Sequence, residues 1–206
     1  MADGWWTDDG LVRLHYEATR LIARFARGVD RRDYPLVRSL FVPEAVDEHG
    51  MYSGTVEQFL EGFHERHKTM PEAQHLNGPT LIHEVDAPGR QLLTETGCVA
   101  WSRVLPEGPI PSLYYDGPTI PEGSTNSRLA TVANRYLDLI VEHEGELRFA
   151  YRTIIFEWRS VTETDPGELF PQDWPLAKRD PSDPSYQTLT QVRAAYDVKR
   201  AALYGV

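Results

Sequence analysis

The chain has 206 residues, 41% of them hydrophobic, which fits one domain with a sizeable core and a tail and argues against global disorder. A formal net charge of −10 argues against a nucleic-acid backbone as partner, since binding one needs a basic face, and no basic cluster is dense enough to suggest anionic lipid. The first residues lack a basic start followed by an apolar run, and no apolar stretch is long enough for a bilayer, so a cytoplasmic protein without membrane contact is expected.

The clearest element comes first. Leu11, Leu14, Ala18, Leu21, Ile22, Phe25 and Val29 recur at three- and four-residue spacing, as one buried helical stripe requires. Arg13, Arg20, Arg24, Arg27 and Arg31 fall largely on the other side as a solvated face, and Asp8 or Asp9 is placed to cap the start. A short helix over 34–40 is ended by Pro43, a short strand or turn covers 46–52, and Gly54-Thr55 introduces a third helix with the stripe Val56, Phe59, Leu60 and Phe63, ending near 70–71.

The period then becomes strand-like over 81–85, 92–104, 129–142 and 147–160, with Glu144-Gly145 as a hairpin signal. Apolar residues occupy both faces of 147–158, which fits a sheet with helices on one face and an enclosed space on the other. A Pro- and Gly-rich loop over 106–125 carries Tyr114 and Tyr115. A Pro- and Asp-rich stretch leads to a last helix over 188–203. The expected division is an α+β domain over 1–160 and an arm with a helix over 161–206. The arm's Phe170, Trp174, Tyr186, Tyr196 and Tyr204 suit packing on the domain or on a neighbouring subunit.

Asp30 is the most informative polar residue. It follows Ile22 and Ala26 at helical spacing and so falls on or near the apolar stripe, where a carboxylate needs a partner; a turn-forming role at the helix end is the plain alternative. Seven histidines are available as that partner: His75 between the third helix and the first long strand, His64 and His67 late in that helix, and His15, His49, His83 and His143 elsewhere. His64 and His67 have metal-like spacing but no further ligand pair, so no metal and no cofactor is expected. Arg152 lies mid-strand among apolar residues, where it meets either an acid or a polar ligand. Asn134 and Tyr136 alternate on one strand face, while Trp101 and Phe156 are pocket wall or plain core. The lone cysteine, Cys98, sits in an apolar run and reads as a small core residue.

Four segments in order, Phe25-Ala26-Arg27-Gly28-Val29-Asp30, Leu40-Phe41-Val42-Pro43-Glu44-Ala45-Val46, His75-Leu76-Asn77 and Leu147-Arg148-Phe149-Ala150-Tyr151-Arg152, resemble the SnoaL-like branch of the nuclear transport factor two-like superfamily. The resemblance spans about residues 11–158 and implies a cone of curved antiparallel sheet with N-terminal helices enclosing a pocket. Members include lindane dehydrochlorinase, bile-acid dehydratase, scytalone dehydratase and polyketide cyclases; others only bind ligands or partners. The resemblance places a proton-abstracting histidine at His75, its orienting aspartate at Asp30 and an assisting arginine at Arg152. Where several members carry a tyrosine or lysine five residues before the aspartate, this chain has Phe25, which donates no proton, so the acid falls to another group such as Tyr16, Tyr52 or Tyr136.

The expected function is a cofactor-independent lyase or isomerase acting on an apolar small molecule through Asp30, His75 and Arg152, with Phe25, Tyr52, Trp101, Asn134, Tyr136 and Phe156 around the substrate. The alternative is a binding module of the same fold, and a third reading is metal-assisted hydrolysis through His64 and His67. Assembly as a homo-oligomer, a dimer or trimer with residues 163–206 lying across a neighbour, is also expected.

Overall fold

The first helix, α1 (Asp8–Arg31), buries Leu14, Ala18, Leu21, Ile22, Phe25, Ala26, Gly28, Val29 and Asp30 along one stripe, as its spacing dictates. These elements come from a computed structural model that describes residues 7–50, 52–106, 125–165 and 174–205. The helix is capped by Thr7, whose hydroxyl accepts from the Gly10 N–H at 3.0 Å, and not by Asp8 or Asp9. Those two acids sit in the first turn, where the helix dipole favours negative charge. Arg32 ends α1 in the left-handed conformation, and its guanidinium donates to the His67 and Met70 carbonyls. Gly28 is a close-approach position: a Cβ there would lie 2.6 Å from Val37 Cγ2 on the next helix.

Helix α2 (Tyr34–Ser39) leads into strand β1 (Phe41–His49), which turns back as β2 (Tyr52–Thr55) before α3 (Val56–His67). Pro43 does not stop the chain; it lies inside β1, within a register shift between Phe41 and Val46. A residue without an N–H is tolerated where the ladder is interrupted. The long strands follow: β3 (Glu72–Asp86), β4 (Gln91–Val104), β5 (Ser127–His143) and β6 (Glu146–Thr164).

The six strands form one sheet in the order β2-β1-β6-β5-β4-β3. It is α+β and curved as expected, but mixed and unclosed: β1 runs parallel to β6, while the other neighbours are antiparallel. Shifts of register in the β5·β6 ladder at Ala133/Asn134 and Leu139/Ile140 mark bulges, the usual device for bending a sheet. The main core joins α1, α2 and α3 to β1 and β6, with Phe25, Phe41, Phe59 and Phe149 all fully buried. Strand β6 is not buried on both faces throughout, since Phe156 and Trp158 are exposed at 42% and 54%.

The chain divides into two compact units, Met1–Gly167 and Glu168–Val206. In the second, Asp183 accepts from the Lys178 and Ser185 N–H groups beside a 3₁₀ turn (Pro184–Tyr186), and helix α4 (Leu189–Tyr204) opens with a Thr188–Gln191 capping box. No residue of α4 is buried. The expected loop bearing Tyr114 and Tyr115 lies almost wholly outside the described residues, as does Phe170. Among the described residues no helix is long and apolar enough to cross a membrane.

Candidate active site

Asp30 occupies the last turn of α1 on its buried stripe, 7% exposed. Its carboxylate receives two donors from one residue: the His75 backbone N–H at 3.0 Å and the His75 ring Nδ1 at 2.6 Å. A carboxylate accepts from an N–H, so the ring proton sits on Nδ1 and points at Asp30, and Nε2 is left with the lone pair. His75 stands on β3, opposite Ala100 of β4, and not in a connecting loop. The strand begins early because Gly78-Pro79, which reads as a turn, is absorbed in a register shift between Asn77 and Thr80 on the sheet edge.

His75 lines a cavity of about 630 Å³ of atom-free space, counting its open mouth. The wall draws on Val29 of α1, Phe63 of α3, and Trp101, Val132, Ile154 and Phe156 of the sheet, so it is mainly apolar. Asn134 is 6% exposed and lines the same wall, and its Nδ2 has no hydrogen-bond partner among the described residues. A buried amide donor of that kind suits a polar atom of a ligand. Trp101 Nε1 donates to Gln74 Oε1 at 3.3 Å, which fixes the indole at the wall. Tyr136 also lines the cavity, and burial pushes its phenol well above the usual tyrosine range.

Three of the expected site residues lie elsewhere. Arg152 is fully buried and does not line the cavity. Its Nε and Nη2 grip Asp138 of β5 at 2.7 and 2.8 Å, and its guanidinium carbon lies 4.1–4.2 Å from the ring centroids of Phe25, Tyr136 and Phe149. A cation so enclosed is held by its own acid and cannot reach a substrate. Phe25 belongs to the same packed core, with Phe41, Phe59 and Phe149 about it, and not to the cavity wall. Tyr52 borders a separate groove with Gly54, Gln58 and Phe59, with its ring against Gly62. Tyr16 is 64% exposed on α1.

The cavity is also lined by His49 and His67, which the sequence offered only as possible partners of Asp30 or, for His67, as a metal ligand, and by Arg66 and Ser102, which sequence reasoning passed over. His49 had a legible signal: Asp47 and His49 alternate on a strand and therefore share a face. His67 Nδ1 meets the Tyr34 hydroxyl at 2.9 Å. Among the described residues no group of three His, Cys, Asp or Glu side chains is placed to hold a metal ion, so His64 and His67 do not form such a set. Cys98 is buried, and burial pushes its thiol up.

The SnoaL-like domain model matches residues 12–153, from α1 through Arg152 of β6. The chain belongs to the SnoaL-like family. Its nuclear transport factor two-like fold recurs in solved structures of low identity. A provisionally assigned scytalone dehydratase from Novosphingobium aromaticivorans DSM 12444 is 15% identical, with a TM-score of 0.58 over 74% of this chain and 89% of that one. A hexachlorocyclohexane dehydrochlorinase, LinA-type3, from Novosphingobium barchaimii LL02 is 13% identical, with a TM-score of 0.58 over 80% and 99%. The beta subunit of a provisionally assigned aromatic-ring-hydroxylating dioxygenase from Novosphingobium aromaticivorans DSM 12444 is 16% identical, with a TM-score of 0.50 over 72% and 92%. No curated protein matches the chain. In this SnoaL-like chain the matched region holds every residue of the cavity wall except Ile154 and Phe156, and residues 154–206 lie beyond it.

Proposed function

We propose that this SnoaL-like protein is a cofactor-independent lyase or isomerase that moves a proton on an apolar small molecule, with Asp30 and His75 as its catalytic pair. The supporting observation is the 2.6 Å contact between Asp30 Oδ1 and His75 Nδ1 at the edge of an apolar cavity. Asp30 fixes the tautomer and offsets the charge the imidazole gains; His75 Nε2 takes the proton. Trp101, Val132, Ile154 and Phe156 exclude water, and Asn134 Nδ2 donates to a carbonyl or similar oxygen of the substrate.

The test uses 5-nitrobenzisoxazole, a small aromatic heterocycle whose ring opens once a base removes its C3 proton. Asp30→Asn should slow the opening by at least roughly 10²-fold, since an amide cannot hold the imidazolium. Wild-type rates in this variant would leave a binding module as the better account.

We further propose that copies of the chain assemble as a dimer or trimer. Helix α4 presents Leu189, Val192, Tyr196 and Leu203 at 50–86% exposure, an apolar set of the kind that marks association surfaces. Light scattering should give the mass of two or three chains, and a single-chain mass across a wide concentration range would refute assembly.

A further inference from the structure

The proposed acid–base reading assigns a base but leaves the donor of the returning proton open, because Phe25 holds a place from which no proton can be given. Of the tyrosines considered for that task, Tyr16 is exposed on α1 and Tyr52 borders another groove. Tyr136 does line the cavity, but its phenol is held well above the usual range by burial and is a poor acid. One histidine of the cavity wall, His49, nevertheless belongs to a second histidine–carboxylate pair. His49 Nδ1 lies 2.6 Å from Asp47 Oδ1, the same contact that His75 makes with Asp30, and both histidines line the same wall. His67, also on that wall, has a tyrosine hydroxyl on its Nδ1 where these two have carboxylates.

We propose that His49, positioned by Asp47, is the second proton-transfer group of this cavity and supplies the proton to the heteroatom that departs while His75 removes one from carbon. The inference rests on the proposed acid–base function. In an elimination His75 Nε2 takes the proton, the C–H electron pair becomes the new π bond, and the carbon–oxygen bond breaks with its pair. The departing oxygen takes the proton from protonated His49 Nε2. His75 ends charged and His49 neutral, and exchange with water restores both without any oxidant or reductant.

The surroundings of His49 suit a group that changes charge. Asp47 is fully buried and its Oδ2 has no hydrogen-bond partner among the described residues. It stands in register with Arg152, whose hydrogen bonds go to Asp138, so this buried cluster sets two carboxylates against one guanidinium. Arg66 and His67 of α3 and Tyr136 of β5 complete the titratable and charged groups around the ring, together with the aromatic faces of Phe25, Phe59 and Phe63. Burial holds His49 below the ordinary histidine value against the pull of Asp47, which makes its protonated form a ready donor.

Two probes separate the roles. The opening of 5-nitrobenzisoxazole releases a phenolate stable without a proton; unsubstituted benzisoxazole releases a more basic one. In the full chain, His49→Gln and Asp47→Asn should slow the unsubstituted probe by roughly tenfold or more and the nitro probe by no more than about twofold. Equal losses on both probes, or none on either, overturn the assignment while leaving His75 as base. Wild-type activity in His75→Ala instead sinks the acid–base reading itself. A second measurement needs no turnover: nitrogen-15 spectra of histidine-labelled protein should show His49 Nε2 taking up a proton as the pH falls across the range in which the protein stays folded, with a midpoint below the ordinary histidine value and Nδ1 protonated throughout. Asp47→Asn should move that midpoint to lower pH. A His49 ring that stays neutral over the whole range overturns the proposal.

Discussion

His75→Ala should open 5-nitrobenzisoxazole roughly 10²–10⁴ times more slowly than the wild-type protein, the range lost when a positioned general base is removed. The loss should fall on the chemical step, because alanine removes the imidazole and leaves the apolar wall intact. The fold should survive for a specific reason. Asp30 keeps the His75 backbone N–H as a donor at 3.0 Å, which side-chain truncation does not touch, so its carboxylate is not stranded. Circular dichroism and the urea midpoint should therefore stay close to wild type while turnover collapses. Free imidazole should restore part of the rate by entering the space that alanine vacates. A variant within threefold of the wild-type rate removes His75 from the mechanism.

Arg152→Ala is expected to have the largest effect on stability, a loss of about 3–5 kcal/mol, the range for removing one partner of a buried ion pair. Three losses coincide in this substitution. Asp138 keeps a fully buried carboxylate without its two donors. Asp47, in register with Arg152 across β1·β6, loses a neighbouring cation. The rings of Phe25, Tyr136 and Phe149 lose a guanidinium in contact with all three and face a void. Replacing the pair together, Arg152→Met with Asp138→Leu, should destabilise less than Arg152→Ala alone, since no charge is stranded. Urea unfolding measures both variants. A single-variant loss under about 1 kcal/mol would show that the pair is hydrated and not sealed in the core.

The difference between these two expected results restates where two inward-pointing polar residues ended up. Both Asp30 and Arg152 read from the sequence as charges on an apolar face, and each was assigned a partner or a ligand. Asp30 found its partner at the edge of a cavity, and Arg152 found its own inside the core. Nothing local separates the cases, because Asp138 and Arg152 are 14 positions apart and meet only through the β5·β6 ladder. Tyr52 shows the same limit: its strand was legible, but the seat of its ring against Gly62 of α3 was not.

The sequence by itself determined the amphipathic first helix, the third helix with its Thr55 start, the α+β order, the β5–β6 hairpin and the inward aim of Asp30. All of these are set by spacing within a few turns or by one turn signal. Tertiary structure decided the rest. The early start of β3, which places His75 in the sheet, rests on edge pairing with β4 that carries Gly78-Pro79 through a bulge. The parallel β1·β6 pair and the passage of Pro43 through β1 rest on a partner more than 100 residues away. The Asp47–His49 pair alternates legibly along β1, but the place of His49 on the same cavity as His75 appears only when the curved sheet brings β1 and β3, four places apart in strand order, around one space. Local pattern fixes which side chains point inward; strand pairing between distant segments fixes which of them meet.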